Sequence, residues 1–430
     1  MGRAAALALL TASIPMLPLA EAAGRGPAQA ATTAKRCEVV IVGLIHEYLG
    51  RSYRPAHLRA LYDAVRPTAM AIEAMPSSVR SGSPSPTLNE NLEAVDYSRR
   101  AGIPVLGVDW EWSGPPPRDA RPVAPAAVRP AALSPAEARR LQVREMWAAV
   151  ALRQHALLGN VPDLLATINS APYQDILRAL TARHASSAWY PGFDEVNDTI
   201  AANIRSAARQ QCAGGRLLVT YGVAHKPELE KRLAGAPEIR LRSVAEWLPL
   251  APGDVTAREQ PGDLWQVLQM TLENLEVLST PDAVPRGWIQ EKSSEIEQRA
   301  RTDPEAKYYL GRWLTVAGEW PRAAELLRDV VREAGERTLT IFNPSLRQLP
   351  LWFWPPELTL RRRAAFALGL VHDLAGQRDS AVATYRMLKS EIEPSAPGER
   401  PRGLLPWLDK FLAEPYTGHP DQYLHVLFPL

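Results

Sequence analysis

The chain has little that would commit it to nucleic acid or to a membrane. Its 49 lysines and arginines are almost matched by 47 aspartates and glutamates, and the net charge of +2 leaves no electrostatic footprint for a phosphate backbone. No basic cluster interleaved with aromatics stands out either. Beyond the amino terminus no apolar run is long enough for a membrane span. Cysteine occurs twice and histidine eight times in 430 residues. That scarcity makes the position of each one informative. A hydrophobic content of 46% supports sizeable cores, and the length fits two domains.

Residues 1–30 read as a cleaved export signal. Arg3 gives the positive start, an apolar stretch begins at Ala4, and Ala20-Glu21-Ala22 or Ala28-Gln29-Ala30 offers a small-x-small cleavage site. Pro15 and Pro18 interrupt the apolar stretch, so cleavage is expected rather than anchoring, with a periplasmic or secreted destination. Cys37 follows Lys35-Arg36 and lacks the small apolar residues of a lipidation site. In an oxidising compartment two cysteines pair if they can meet. Cys37 stands directly before one strand-like run and Cys212 shortly before another. Neighbouring parallel strands would bring both thiols to one edge, so a structural Cys37–Cys212 disulfide is expected.

Two matching tetrapeptides carry the chemistry, Gly43-Leu44-Ile45-His46 and Gly222-Val223-Ala224-His225. Each closes a run of β-branched and aliphatic residues, at 38–42 and 216–221, of the kind that suits a parallel sheet covered on both faces. Further strands are expected at 69–73, 105–109 and 239–244, with helices at 55–65 and 92–100. The alternation predicts an α/β fold: a mostly parallel sheet flanked by helices across 35–250. A proline-rich loop at 113–130 and a helical insertion at 134–209 interrupt it. Ser134-Pro135-Ala136-Glu137 marks the insertion's first helix by its capping box and first-turn proline.

Residues 256–430 follow as an all-α, tetratricopeptide-like domain. Leu310-Gly311, Gly318, Ala323 and Leu327 fall at repeat-like spacing, and Leu368-Gly369, Gly376, Ala381 and Tyr385 restate it. The units stand farther apart than the ~34 residues of tandem repeats. The aromatic run Leu351-Trp352-Phe353-Trp354 is therefore an insertion, read as core-packed rather than as a partner-binding loop.

Open α/β sheets bind ligands at the carboxyl ends of their strands, where His46, Glu73, Asp109 and His225 would lie. Two imidazoles and a carboxylate, His46, His225 and Glu73, suffice as first ligands of a divalent transition metal such as Mn, Co or Zn. Glu47 is then a candidate general base, and Asp109 and Asn197 candidates to orient the histidines or substrate. Each has a plainer alternative. Glu73 could cap the next segment, Asp109 could form a turn before Trp110, and Asn197 could be a helix-surface or capping residue.

Taken together, the two Gly-x-x-His motifs, Ala71-Ile72-Glu73 and Gly107-Val108-Asp109 resemble the Tiki/TraB superfamily, which includes erythromycin-esterase-like enzymes and haem-uptake proteins. Residues 195–204 resemble its helical motif, with Val196 where that motif carries arginine. The resemblance implies one pocket serving metal-dependent peptide hydrolysis, ester hydrolysis or haem binding. An exported metal-dependent hydrolase acting on a peptide or small-molecule substrate is the first expectation. The alternatives are a non-enzymatic haem or ligand binder, favoured by Val196, and a pseudo-enzyme scaffold that meets a protein partner through its helical domain.

Overall fold

Five strands form one sheet in which every neighbouring pair is parallel. They are β1 (Cys37–Leu44), β2 (Ala69–Ile72), β3 (Val105–Gly107), β4 (Arg216–Gly222) and β5 (Ile239–Arg242), in the order β3-β2-β4-β1-β5. This is a computed structural model that describes residues 36–45, 52–81, 89–111, 161–184, 193–272, 286–337, 359–393 and 404–418. The expected signal, the proline-rich loop, the helix start at Ser134, the Trp352 insertion, His46 and Glu47 lie outside the described residues.

Strand periodicity sorts the side chains into two layers. From β1, Val40, Val42 and Leu44 enter one core with Met70, Ile72 and Leu218. Val39 and Ile41 enter the other with Ala69, Ala71, Leu217, Val219 and Tyr221. The register that aligns them runs from Glu38 opposite Arg216 to Leu44 opposite Gly222. At the amino edge of that pair Cys37 and Cys212 form a disulfide, with Cα atoms 5.3 Å apart. Both sulfurs are buried beneath the second layer.

Helix α1 (Pro55–Val65) has proline in its first turn, where the missing N–H costs nothing. Its Leu58, Leu61, Tyr62 and Val65 cover the first face. The short α2 (Pro76–Arg80) and then α3 (Asn89–Ala101) follow β2. The helical insertion contributes α4 (Leu164–Asn169), α5 (Ala171–His184) and α6 (Phe193–Gln211). Leu164, Leu165 and Ile168 join the first layer. On the second face lie Val196, Ile200 and Ile204 of α6, with Leu229 and Leu233 of α7 (Lys226–Leu233).

The connections after the two central strands therefore leave toward opposite faces, α1 after β1 and α7 after β4. In an open parallel sheet such a divergence of neighbours opens a crevice at their carboxyl ends. Gly43 and Gly222, which open the two Gly-x-x-His motifs, lie at the carboxyl ends of those two strands. Two strands stop shorter than the sequence pattern implies: β2 ends at Ile72 and β3 at Gly107, leaving Glu73 and Asp109 just past the sheet. A Cβ on Gly107 would stand 2.5 Å from the Ala74 carbonyl oxygen, so only glycine permits the close approach of these two strand ends.

Among the described residues the C-terminal region is built of helices: α8 (Pro252–Thr256), α9 (Asp263–Leu272), α10 (Arg286–Glu291) and α11 (Ser293–Ala300) lead into two helical hairpins. The hairpins are α12 (Pro304–Ala317) with α13 (Trp320–Glu333), and α14 (Leu360–Leu374) with α15 (Arg378–Ile392); α16 (Leu404–Ala413) follows. Asp303 and Thr359 accept N-terminal backbone N–H groups of α12 and α14, and Gly318 ends α12 at φ 83°, which is the left-handed geometry glycine allows. Gly311 packs on Leu327 and Gly369 on Tyr385, so each repeat's glycine is where its two helices touch. The first helices of both hairpins are buried along most of their length. Part of the cover is α9: Arg312, 3% exposed, donates twice to the Leu272 carbonyl at 2.8 and 2.6 Å. Trp265 and Leu268 of α9 belong to one core that runs from the sheet's Val40 to Tyr309 and Leu368.

Candidate active site

The site is built where ladder partners run out. Ile72 opposite Thr220 is the last pair between β2 and β4. One step on, the Glu73 carboxylate takes over the missing strand's role and accepts the Gly222 N–H at 2.6 Å. On the other side of β1, β5 stops at Arg242 opposite Val40. There the Asn169 side chain replaces a strand. Its oxygen accepts the Gly43 N–H at 2.8 Å and its nitrogen donates to the Gly43 carbonyl at 3.0 Å and to that of Leu165 at 2.9 Å. Gly43 itself is close-packed, since a Cβ would lie 2.7 Å from Val223 Cγ2.

Glu73 and His225 share Gly222 as their anchor. The carboxylate holds its N–H, and the His225 backbone N–H donates to its carbonyl at 2.9 Å. His225 then begins α7, its carbonyl accepting from Leu229. Its ring lies against Phe193, centroids 5.0 Å apart, and meets the edge or face of Tyr221 at 5.2 Å and 75°.

Asn197 determines which ring nitrogen carries the proton. Its Nδ2 donates to the Phe193 carbonyl at 2.7 Å, a group that can only accept. Its Oδ1 is therefore the atom 3.0 Å from His225 Nδ1, and that nitrogen must be the N–H donor. In the neutral imidazole the lone pair then resides on Nε2, the tautomer suited to a metal ligand or a general base. Asn197 is fully buried, so water does not compete for this bond.

Asp109 extends the group from β3. Tyr221 donates its hydroxyl to Asp109 Oδ1 at 2.5 Å, and the same oxygen accepts the Trp110 N–H at 2.8 Å. The carboxylate thus both forms the turn and holds the tyrosine that packs on His225. Asn203, farther along the same helix than Asn197, donates to the carbonyls of Val108 and Asp109 at 3.2 Å each. Val196 points elsewhere. It is buried in the layer beneath the sheet with Ile200 and Ile204.

The structure therefore gathers Glu73, Asp109, Asn197 and His225 around the end of β4. Among the described residues no three His, Cys, Asp or Glu side chains stand close enough to hold a metal, and the expected trio includes His46, outside them. Sequence reasoning missed Asn169, Phe193 and Tyr221. Tyr221 was visible as the last large residue before the glycine of the motif. Asn169 carries no local signal, because the partner it serves is more than a hundred residues away. No protein-family model, curated protein or solved structure matches this chain.

Proposed function

We propose that this chain is an exported, metal-dependent hydrolase of an amide or ester bond, with His46, Glu73 and His225 as the metal ligands. The observation that carries the reading is the orientation of His225: Asn197 holds its Nδ1–H, so Nε2 is the lone-pair nitrogen. The donor set of imidazole and carboxylate suits Mn, Co or Zn. A bound metal of this kind polarises a carbonyl and lowers the pKa of a bound water. The chain's own groups do the rest. Glu73, anchored on Gly222, presents a fixed carboxylate. Asn197 and the rings of Phe193 and Tyr221 prevent His225 from turning, and Glu47 serves as the general base. The resemblance to the Tiki/TraB superfamily supports the same assignment. The disulfide is compatible with an oxidising compartment, and among the described residues no helix is long and apolar enough to cross a membrane.

The test is metal content by mass spectrometry after purification, in wild type and in His225→Ala and Glu73→Gln variants, alongside turnover of an ester and peptide panel. About one metal per chain, lost with activity in both variants, is expected. Full metal occupancy in the folded variants rejects the assignment.

A second reading, non-catalytic binding of haem or another planar ligand, draws on the aromatic walls that Phe193 and Tyr221 set beside His225. It requires a Soret band on haem titration that shifts in His225→Ala. An unchanged spectrum excludes haem.

A further inference from the structure

The amino ends of the strands collect arginine. Arg216 opens β4 opposite Glu38 of β1 and bonds its carboxylate at 2.8 Å, and Arg242 of β5 reaches the same group at 2.8 Å. Arg240, on the same strand, stands 3.8 Å from it. Arg242 is also bonded to Glu246, and the guanidinium carbons of Arg216 and Arg242 lie 5.2 and 5.7 Å from the centroid of the Trp247 ring. On the second face, Arg205 and Arg209 near the end of α6 share Glu238 at 2.7 and 2.9 Å. The Glu238 carbonyl accepts the Cys37 N–H at 3.0 Å, which ties that pair to the start of β1.

Arg36 and Arg66 are exposed and join the same edge. Arg36 directly precedes Cys37, and Arg66 caps α1, whose Val65 carbonyl accepts from Arg216. Asp63, one turn earlier on α1, is bonded to Arg258 instead. Three carboxylates therefore face seven guanidinium groups, a surplus of four positive charges on a chain whose total is +2. Arginine keeps its charge at any physiological pH. Among the described residues no other carboxylate is bonded to these arginines. Their side chains are open to solvent, Arg240 to 65% and Arg209 to 53%.

The guanidinium groups are strung around the edge from one face of the sheet to the other and do not converge on a cavity. Most already hold a carboxylate. Such an arrangement attracts through its summed field rather than by gripping one anion, which suits a flat, extended array of negative charge. Trp247, half-buried beside Arg216 and Arg242, is the residue type that settles at a membrane–water boundary. The candidate site lies at the opposite ends of the same strands, about 20 Å away along β4.

We propose that this arginine edge docks the protein on an anionic phospholipid surface, with the sheet standing on its amino end and the candidate site turned away from the lipid. The proposal does not depend on the chemistry of that site. Each basic residue close to such a surface contributes about fivefold to partitioning, so the surplus is sufficient for reversible attachment without a membrane span.

Flotation of the full chain with vesicles decides, using pure phosphatidylcholine and equal parts of phosphatidylcholine and phosphatidylglycerol. Wild type should float with the mixed vesicles only, and release at about 1 M salt, where the screening length falls to about 3 Å. The triple variant Arg36→Gln, Arg66→Gln, Arg240→Gln gives up only the 3.8 Å contact with Glu38. It should bind the mixed vesicles about 100-fold more weakly. Equal binding to both vesicle types, or equal binding of wild type and variant, overturns the proposal. Wild type that ignores the mixed vesicles also overturns it, and retention on polyglutamate would then assign the edge to an acidic polypeptide. Should the variant fail to fold, the lipid and salt dependence of wild type alone decides.

Discussion

The Oδ1 atom of Asn197 sits 3.0 Å from Nδ1 of His225, and the Phe193 carbonyl on the same helix fixes which end of the asparagine faces the ring. Replacing Asn197 with Ala removes the acceptor and leaves the imidazole N–H without it. The expected result is a ring that samples both tautomers, read by nitrogen NMR, and a metal affinity lower by about 10–100-fold. The stability cost should be about 1–3 kcal/mol. A variant in which the tautomer ratio is unchanged would show that the aromatic neighbours alone hold the ring.

The disulfide closes a loop of 175 residues, which spans three of the five strands. Chain-entropy arguments put the stabilisation at up to about 5 kcal/mol for a loop of this size. A Cys37→Ser, Cys212→Ser double variant should therefore unfold at a clearly lower urea concentration, and wild type under reductant should match it. Equal midpoints with and without reductant would mean that the sheet's edge is held by strand pairing alone.

Gly369 offers a test of the hairpin packing. A methyl group there would stand 2.2 Å from Tyr385 Cε1, and the ring is itself held by its hydroxyl bond to Asp373 at 3.0 Å. The tyrosine cannot swing aside without breaking that bond, so Gly369→Ala should destabilise by about 1–3 kcal/mol. Gly253, with nothing within 4 Å of an added Cβ, is the matched control, where Ala should be neutral or slightly stabilising. Thermal melts of the two variants decide between them.

How much of this was legible in the residues depended on the range of the interaction. The central strands were readable because runs such as Val39-Val40-Ile41-Val42 need cover on both faces, and the disulfide followed from the register those strands adopt. Glu73 and Asp109 were readable as polar residues at strand ends, but the sequence pattern extends both strands too far. What ends them is tertiary: Gly107 must admit the Ala74 carbonyl, and Glu73 turns its side chain to Gly222. The site's supports were hidden for the same reason. Asn169 completes the edge of a strand distant in sequence, and its own neighbours, Ile168 and Ser170, say nothing of it.

His57 sets the acid limit of the fold. Burial, with Arg54 beside it, pushes the imidazole down to about 3 from 6.5, and its Nδ1 accepts the Arg54 backbone N–H at 3.1 Å. The ring must be neutral there, because Nδ1 accepts that hydrogen. A histidine depressed in the folded state contributes stability that is fully present above 6.5 and is lost as pH falls toward 3. A shift of this size corresponds to roughly 4–5 kcal/mol, a large share of a domain's net stability. Wild type should therefore melt progressively lower from pH 6.5 down to 4, and His57→Gln, which does not titrate, should show a shallower slope over the same interval. Parallel slopes would mean that His57 finds solvent before the fold opens.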